Sequence, residues 1–536
     1  MKNKCTGAPW HSSLSILLPC LVLLPPLGGL LLWLRPTSNL RKICGSFLIV
    51  LLSVVYLRLI FGLRIELDGT GMYPIFSFHK PEIHYNSLDQ DRAHQRKTSI
   101  HVTSPDQVQT LKPEVQKLQD NILIEMTDKE ISHPPSSQII KISHNPYCTD
   151  FRGPKRDGKY DEMKILTKWP EAGLPLMWRQ PIGKGYASFV IANGSAFTIE
   201  QRRDQEVVTA YELKTGRELW SHGWKAEFRE SMGGNGPRAT PTWNKGRVYA
   251  LGALGDLVCL EATNGKLVWA LNILDENGAF NLQWGMSASP LIIGETIIVL
   301  PGGLSGTSVV AYNKSTGKPI WKSLNDQQSY TSPMLVSLHG RDQLLVVSSE
   351  RVMGLSPKDG SLLWHHKWVT GTRHYGVNSA QPIILGDSQF FISAGYGHGA
   401  SVVEVIQDNN KFETRTVWKS LNMKNKFTSS VLYEGYIYGL DEGILACVDA
   451  ENGNRTWKGG RYGHGQTILA DGHLIVLTEK GDLVLLEATP KKHSELARFS
   501  AIRGKTWNHP AIGEGYLLVR NTTQMACFDL SQSRNN

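Results

Sequence analysis

The sequence predicts an all-β protein, an eight-bladed β-propeller preceded by two apolar helices and a polar linker. Three observations carry that prediction. A ten-residue pattern recurs along the second half of the chain: a small residue, a few mixed positions, a Thr-Gly or Asn-Gly turn, then Trp three or four residues on. Two incomplete copies stand at the ends of the repeat region, each holding what the other lacks. A second, independent signal, a short polar segment ending in Pro, Ser or Thr in most copies, returns eight times.

The first pattern reads AYELKTGRELW to Trp220, LEATNGKLVW to Trp269, AYNKSTGKPIW to Trp321, LSPKDGSLLW to Trp364 and VDAENGNRTW to Trp457. Degenerate copies end at Trp418 (NNKFETRTVW) and, with Phe in place of Trp, at Phe499 (EATPKKHSELARF). The intervals from Trp220 are 49, 52, 43, 54, 39 and 42 residues, too long for one hairpin and right for one propeller blade. The turn Gly supplies the positive φ of a tight hairpin, and the Trp early in the following strand offers a broad face to a neighbouring blade. One blade cannot bury both of its faces alone, so the repeats must stack. LPLMWRQ carries Trp178 with no hairpin before it, and MACFDL (residues 525–530) is a third strand with no Trp strand after it. Joined, they complete an eighth blade and close the ring, which removes its sheet edges.

Each blade should begin with an inner strand lining the central channel. The second signal marks its start: GYASF (185–189), PRATP (237–241), MSASP (286–290) and YTSP (330–333). It continues as NSAQP (378–382), FTSS (427–430), GHGQT (463–467) and TWNHP (506–510). These inlets converge on one mouth of the channel.

Ahead of the repeats the composition changes twice. Residues 1–64 are apolar, with an uncharged run at 12–34 and a second at 43–63 interrupted only by Arg58, so they read as a two-helix membrane anchor. A signal peptide is the alternative for the first run, but no small-residue cleavage site follows it. The connecting loop carries Arg35, Arg41 and Lys42 against Lys2, Lys4 and Arg64 outside, which places the loop inside the cell and the propeller outside. Residues 65–147 read as a polar linker, partly disordered, with weak helical periodicity over 108–126; the propeller occupies 148–536.

Of the 536 residues 57 are Lys or Arg and 48 Asp or Glu, a formal net charge of +9, yet the cations are scattered and no basic stripe interleaves with aromatics. Nucleic acid is therefore not an expected partner. Cys259 and Cys447 each stand six residues before their turn Gly, where other blades have Ala210, Ala311 and Gly354, and Cys527 belongs to the same class. This is a small, buried register position, so these thiols read as core residues rather than redox or metal ligands.

With the repeats laid out, the chain resembles bacterial propellers of PQQ-like repeats, a membrane-attached subgroup of the quinoprotein-dehydrogenase-like superfamily. The resemblance rests on FRGPKRDG (151–158), GPRATPT (236–242), LGALGDLVCLEATNGKLVW (251–269) and QWGMSASP (283–290), and runs from about Cys148 to Leu530. It implies the fold, but the superfamily holds both quinone- and calcium-dependent dehydrogenases and non-enzymatic scaffolds, so it leaves function open.

The residues converging on the mouth are Tyr186, Arg238, Trp284, Tyr330, Arg373, His374, Asn378, Lys426, His464, Trp507 and Asn508. Aromatic faces with Arg and Lys suit a planar anion or a carboxylate-bearing ligand, whereas the bland reading is a wetted channel mouth and aromatic packing between blades. A quinone dehydrogenase needs a carboxylate base and a calcium ion held by carboxylate and amide oxygens. The inlets hold amides, Asn378 and Asn508, but no Asp or Glu, and neither a Cys-Cys pair nor a haem-attachment motif is present. The expectation is therefore a membrane-tethered propeller at the bacterial inner membrane, on the periplasmic side. It would contact lipid through its helices and bind a protein, peptide or small ligand at the mouth, with no catalytic or metal residues and no cofactor. The alternative is a PQQ- and calcium-dependent alcohol-type dehydrogenase passing electrons to a membrane carrier.

Overall fold

A computed structural model describes residues 38–67, 74–77, 81–101, 146–370, 377–409 and 411–531. These divide into two compact units, the described residues up to 86 with 230–234, and the remainder. In the first, helix α1 (Asn39–Phe61) ends at Gly62 in the left-handed region, φ 69°. Its segment Ile43–Phe61 is long and apolar enough to cross a membrane. The expected first helix, 12–34, lies outside the described residues, which hold one such helix rather than two. Arg64–Leu67 and Pro74–Ser77 then pair as an antiparallel hairpin.

The stretch expected to be a polar, partly disordered linker holds a long helix: α2 spans Pro81–His101. Its polar residues are spread around the helix, so no apolar stripe announces it. Tertiary contacts hold it instead. Arg92 is buried and donates to Gln180 Oε1 and to the Pro181 carbonyl, both at 3.0 Å, while its Nε lies 3.1 Å from Glu218. Asp89 pairs with Arg203 at 2.8 Å, and Gln95 Oε1 accepts the Glu218 N–H at 3.0 Å. The weakly helical stretch 108–126 lies outside the described residues.

The propeller has eight antiparallel sheets, in seven of which four strands run in order from channel to rim. The first blade is Val190–Ala192, Ser195–Arg202, Gln205–Glu212 and Glu218–Lys225. The eighth is completed by chain ends as expected, Gln524–Asp529 pairing with Leu176–Pro181 so that Cys527 faces Trp178. One strand was not expected: Lys159–Tyr160 adds in parallel to the inner strand Gln466–Ala470 of blade seven. Second and third strands are buried almost throughout, because neighbouring blades cover both of their faces, whereas the outer strand Glu218–Lys225 alternates strictly.

The tryptophan register is the same in seven blades. Ala210 faces Trp220, Cys259 Trp269, Ala311 Trp321, Gly354 Trp364, Val402 Trp418, Cys447 Trp457 and Cys527 Trp178, each followed by a register shift. Burial pushes the Cys259 thiol up to about 11, as suits a core thiol. The indoles tie blade to blade: Trp178, Trp220, Trp269, Trp418 and Trp457 donate Nε1–H to Leu213, Ala262, Lys314, Ala450 and Thr489 of the next blade's turn at 2.8–3.0 Å. Their rings leave no room for a side chain at the turn. A Cβ on Gly265, whose φ is +71°, would fall on the Trp220 ring.

Phe499 departs from the expected register. Ala497 stands opposite Leu485 where the Trp should be, and Phe499 faces Leu483 two residues on. Its ring nevertheless covers Gly173 as the tryptophans cover their turn glycines, so the packing role survives the slip. At the seam between blades eight and one, Glu200 is buried among arginines. Burial opposes its charge, but Arg202, Arg520 and Arg92 hold its carboxyl down at about 2.

Candidate functional site

Every inlet leads into an innermost strand, as the repeated polar signal requires. Its Ser and Thr residues have a structural task there. Ser188 donates its backbone N–H to Thr240 Oγ1, Thr240 to Ser289 Oγ and Ser289 to Ser332 Oγ, each at 2.9 Å. Ser332 N–H reaches Gln381 Oε1 at 2.8 Å, and Gln381 N–H reaches Ser429 Oγ at 3.0 Å. A buried N–H without a partner is costly, and each blade satisfies its neighbour's. The Ser188 hydroxyl donates to the His509 carbonyl at 2.6 Å, linking blades eight and one.

The channel itself is stoppered by the segment before the repeats. Cys148 and Thr149 carbonyls accept from Ile191 and Trp243 of the first two blades, and the Gly158 carbonyl accepts from Leu469 of the seventh. Arg152 and Arg156, both with positive φ, are buried in this crossing. Arg156 donates to the Ser289 and Pro333 carbonyls at 3.0 Å, to the Pro290 carbonyl, and to Asp150 at 3.0 Å. Arg152 donates to the Ser430 carbonyl at 2.9 Å and lies 3.1 Å from His509 Nε2. Burial lowers the Arg152 pKa to about 10, and burial together with Arg152 keeps His509 well below its ordinary value. His509 is thus neutral, accepting from Arg152 at Nε2 and donating from Nδ1 to the Pro510 carbonyl at 2.7 Å. Nothing in the sequence marks these as site residues, because FRGPKRDG has no period and two arginines in a Gly/Pro loop look like surface residues.

At the mouth, part of the expected set comes together. Tyr186 and Trp507 have ring centroids 5.5 Å apart, Trp507 and Phe427 4.6 Å, and Phe427 and His464 5.0 Å. The Arg238 guanidinium lies 5.5 Å from the Tyr186 ring and 4.5 Å from Phe228, and Lys505 Nζ lies 4.2 Å from Trp507. Trp284 and Tyr330 form a separate pair at 5.5 Å, and Lys426 lies 5.2 Å from the Tyr396 ring. Arg373 and His374 lie outside the described residues.

The two asparagines are framework groups. Asn378 accepts from Trp368 at 3.1 Å and Thr370 at 3.0 Å and donates to the Ser348 carbonyl at 2.9 Å. Asn508 is fully buried and donates to the Gly185 and Ala187 carbonyls at 3.2 and 2.9 Å. An acid does stand at the mouth: Glu479 accepts Trp507 Nε1–H at 2.8 Å and the His464 N–H at 3.1 Å. It comes from the turn between the second and third strands of blade seven, so a search confined to the inlets misses it. The TEKGD sequence of that turn is the signal that could have found it.

These donors do not suit a calcium–quinone pair. Glu479 is committed to Trp507 and His464, the Asn378 amide is used within the fold, and two arginines cross the channel. Among the described residues no three His, Cys, Asp or Glu side chains converge as metal ligands. A further buried carboxyl, Glu206, accepts the Ala253 N–H at 2.9 Å on the inlet side of blades one and two; burial pushes it up to about 7.

Residues 203–459 match the family model described as outer membrane protein assembly factor BamB. The chain is similar to the outer membrane protein assembly factor BamB of Yersinia pestis, 22% identical over 49% of this chain and 66% of that protein. It is similar to that of Moranella endobia at 22% identity over 46% of this chain and 63% of that protein. The chain thus spans a little under two thirds of the length of these curated relatives. Among solved structures, the quinohemoprotein alcohol dehydrogenase of Comamonas testosteroni shares the fold, with a TM-score of 0.52 and 12% identity over 72% of this chain and 80% of that one.

Proposed function

The chain is an eight-bladed β-propeller of PQQ-like repeats, and from that we propose that it is a membrane-tethered binding or scaffolding module without catalysis of its own. The observation that carries the reading is the stoppered channel: Arg152 and Arg156 cross it and bind inlet carbonyls of blades three, four and six, beside a lip of aromatic and basic side chains. Such a lip suits a protein, peptide or small anionic ligand held by ring faces and charge-assisted hydrogen bonds. A protein partner is supported by the curated relatives, which are named outer membrane protein assembly factors. Helix α1 serves as the tether, at the bacterial inner membrane with the propeller on the periplasmic side.

A photo-crosslinking residue replacing Tyr186 in the full chain, in its own membrane, tests the reading. It should give one discrete adduct, and the same residue replacing Lys266, on a turn at the other end of the ring, should give none. The dehydrogenase reading is tested on the same protein with pyrroloquinoline quinone, calcium and a redox dye. Calcium-dependent dye reduction that is lost in Trp507→Ala would overturn the scaffold reading.

A further inference from the structure

In each blade the turns joining first to second strand, and third to outer strand, lie at one end of the ring; the turns joining second to third strand, and the inlets, lie at the other. At the first end the described turn tips are glycines and polar or small residues, as in Asn193-Gly194, Asp471-Gly472 and residues 262–266, and the exposed apolar residues nearby, such as Leu267 and Ile320, lie on the outer strands and not on the tips. At the inlet end large apolar side chains stand exposed on loop tips of blades two to six: Leu254, Phe280, Leu304, Val369, Tyr396 and Leu421. Phe280 is 89% exposed, Leu304 66% and Leu421 62%.

We propose that the inlet face docks on the headgroup–acyl boundary of a lipid bilayer through these tips, tilted so that blades two to six meet lipid while the Tyr186, Trp507 and His464 side of the mouth, on blades one, eight and seven, stays open to its ligand. Three observations point to lipid. The chain carries an apolar helix, Ile43–Phe61, long enough to cross a membrane. It also arrives at the propeller from the inlet end: Asp89 pairs with Arg203 in the inlet-side turn of blade one, and only further along α2 does Gln95 reach Glu218, beyond the opposite turn. Residues 62–88 before that contact span at most about 100 Å even fully extended, and two strands and the start of α2 shorten them. Finally, the tips are single residues separated by polar loops. A protein interface gathers its apolar residues into one shape-matched core, whereas a fluid hydrocarbon layer accepts separate anchors. Tyr396, with an ammonium 5.2 Å from its ring, has the apolar body and polar flank of an interfacial residue.

The proposal rests on the tether reading, and its test keeps the two apart. The full chain is reconstituted in vesicles of phosphatidylethanolamine and phosphatidylglycerol, with an environment-sensitive dye on Leu304→Cys, Leu421→Cys or Lys266→Cys, the last at the opposite end of the ring. The unsubstituted chain, labelled on its native cysteines, is the reference. Doxyl lipids should quench the dye several-fold more at 304 and 421 than at 266. Equal quenching at all three overturns the docking while quenching of the reference label leaves the tether standing. Shielding of 304 and 421 from aqueous iodide without lipid quenching also overturns it, in favour of a second copy or another protein. An unquenched reference label overturns tether and docking together.

Discussion

The two ends of the propeller ring solve the same packing problem by different means. At one end, turn glycines lie beneath the indole of the neighbouring blade, and in five blades the tryptophan N–H donates to a carbonyl of the next blade's turn. The solution repeats with little change. At the other end, the inlets share a Ser/Thr ladder, but their remaining residues differ from blade to blade, and a non-repeating segment crosses the channel to reach their carbonyls. Repetition marks where the chain is built, and departure from repetition marks where it can do something particular.

Substitutions can break that contrast. The largest expected effect is at the stopper: Arg156→Met strands the Ser289 and Pro333 carbonyls and leaves Asp150 without its cation, while Pro290 keeps its bond from Thr242; the change should cost about 3–5 kcal/mol, seen as early thermal unfolding of the detergent-solubilised chain. An unchanged midpoint would show that the inlet end is not held by this crossing. Next comes Gly265→Ala, which places a Cβ on Trp220 at a positive φ and should cost about 3 kcal/mol. Gly246→Ala, also at positive φ but with nothing within 4 Å of the added carbon, should cost only about 1 kcal/mol. Equal losses would mean that backbone strain alone, and not the indole, demands the glycine.

Smaller effects sharpen the contrast further. Glu206 is raised from 4.5 to about 7 by burial, so the folded state holds its proton more tightly than the unfolded chain. Its contribution to stability therefore falls as pH rises between those values and stays low above them. Glu206→Gln should raise stability by about 1–3 kcal/mol near pH 8 and change it little near pH 4, as denaturant titrations at the two pH values would reveal. A gain of the same size at both would remove the carboxyl as the cause. Trp457→Phe should cost about 1 kcal/mol for the lost bond to Thr489. At the bottom of the scale, Phe280→Ser and Leu304→Ser should stay within about 0.5 kcal/mol, since exposed tips do not hold the fold. A larger loss in the same unfolding assay would make them core residues and remove the reason to see them as docking groups.

The blade count, the glycine turns, the small residue opposite the tryptophan in six blades and the union of chain ends in the eighth blade were all legible in the sequence; blade five, with Val402 opposite Trp418, departs from the small-residue rule. These features recur, and each recurrence checks the others. Phe499 was misplaced by two residues because an aromatic near the expected interval is a stronger signal than Ala497, the residue that holds the position. Helix α2 escaped notice because its polar side chains give no periodic stripe, and it is docking of Arg92 and Gln95 that holds it. Of the mouth residues, Tyr186, His464 and Trp507 do gather, joined by Phe427, while Asn378 is consumed by the framework. Glu479 reaches the same place from a turn that sequence distance hides.

By itself, the sequence determined the ring: local turn chemistry and a period set by blade length leave one closed arrangement that buries both faces of every sheet. Tertiary structure alone decided what fills the ring and what stands on its rim. A single passage of chain, such as Arg152 and Arg156 across the axis or α2 along the seam, has no internal repeat to announce it, and its partners are carbonyls and side chains brought near only by closure. Exposure at a loop tip is likewise a property of the folded surface: Phe280 and Phe499 are the same residue in the sequence, and the ring places one in solvent and the other over Gly173.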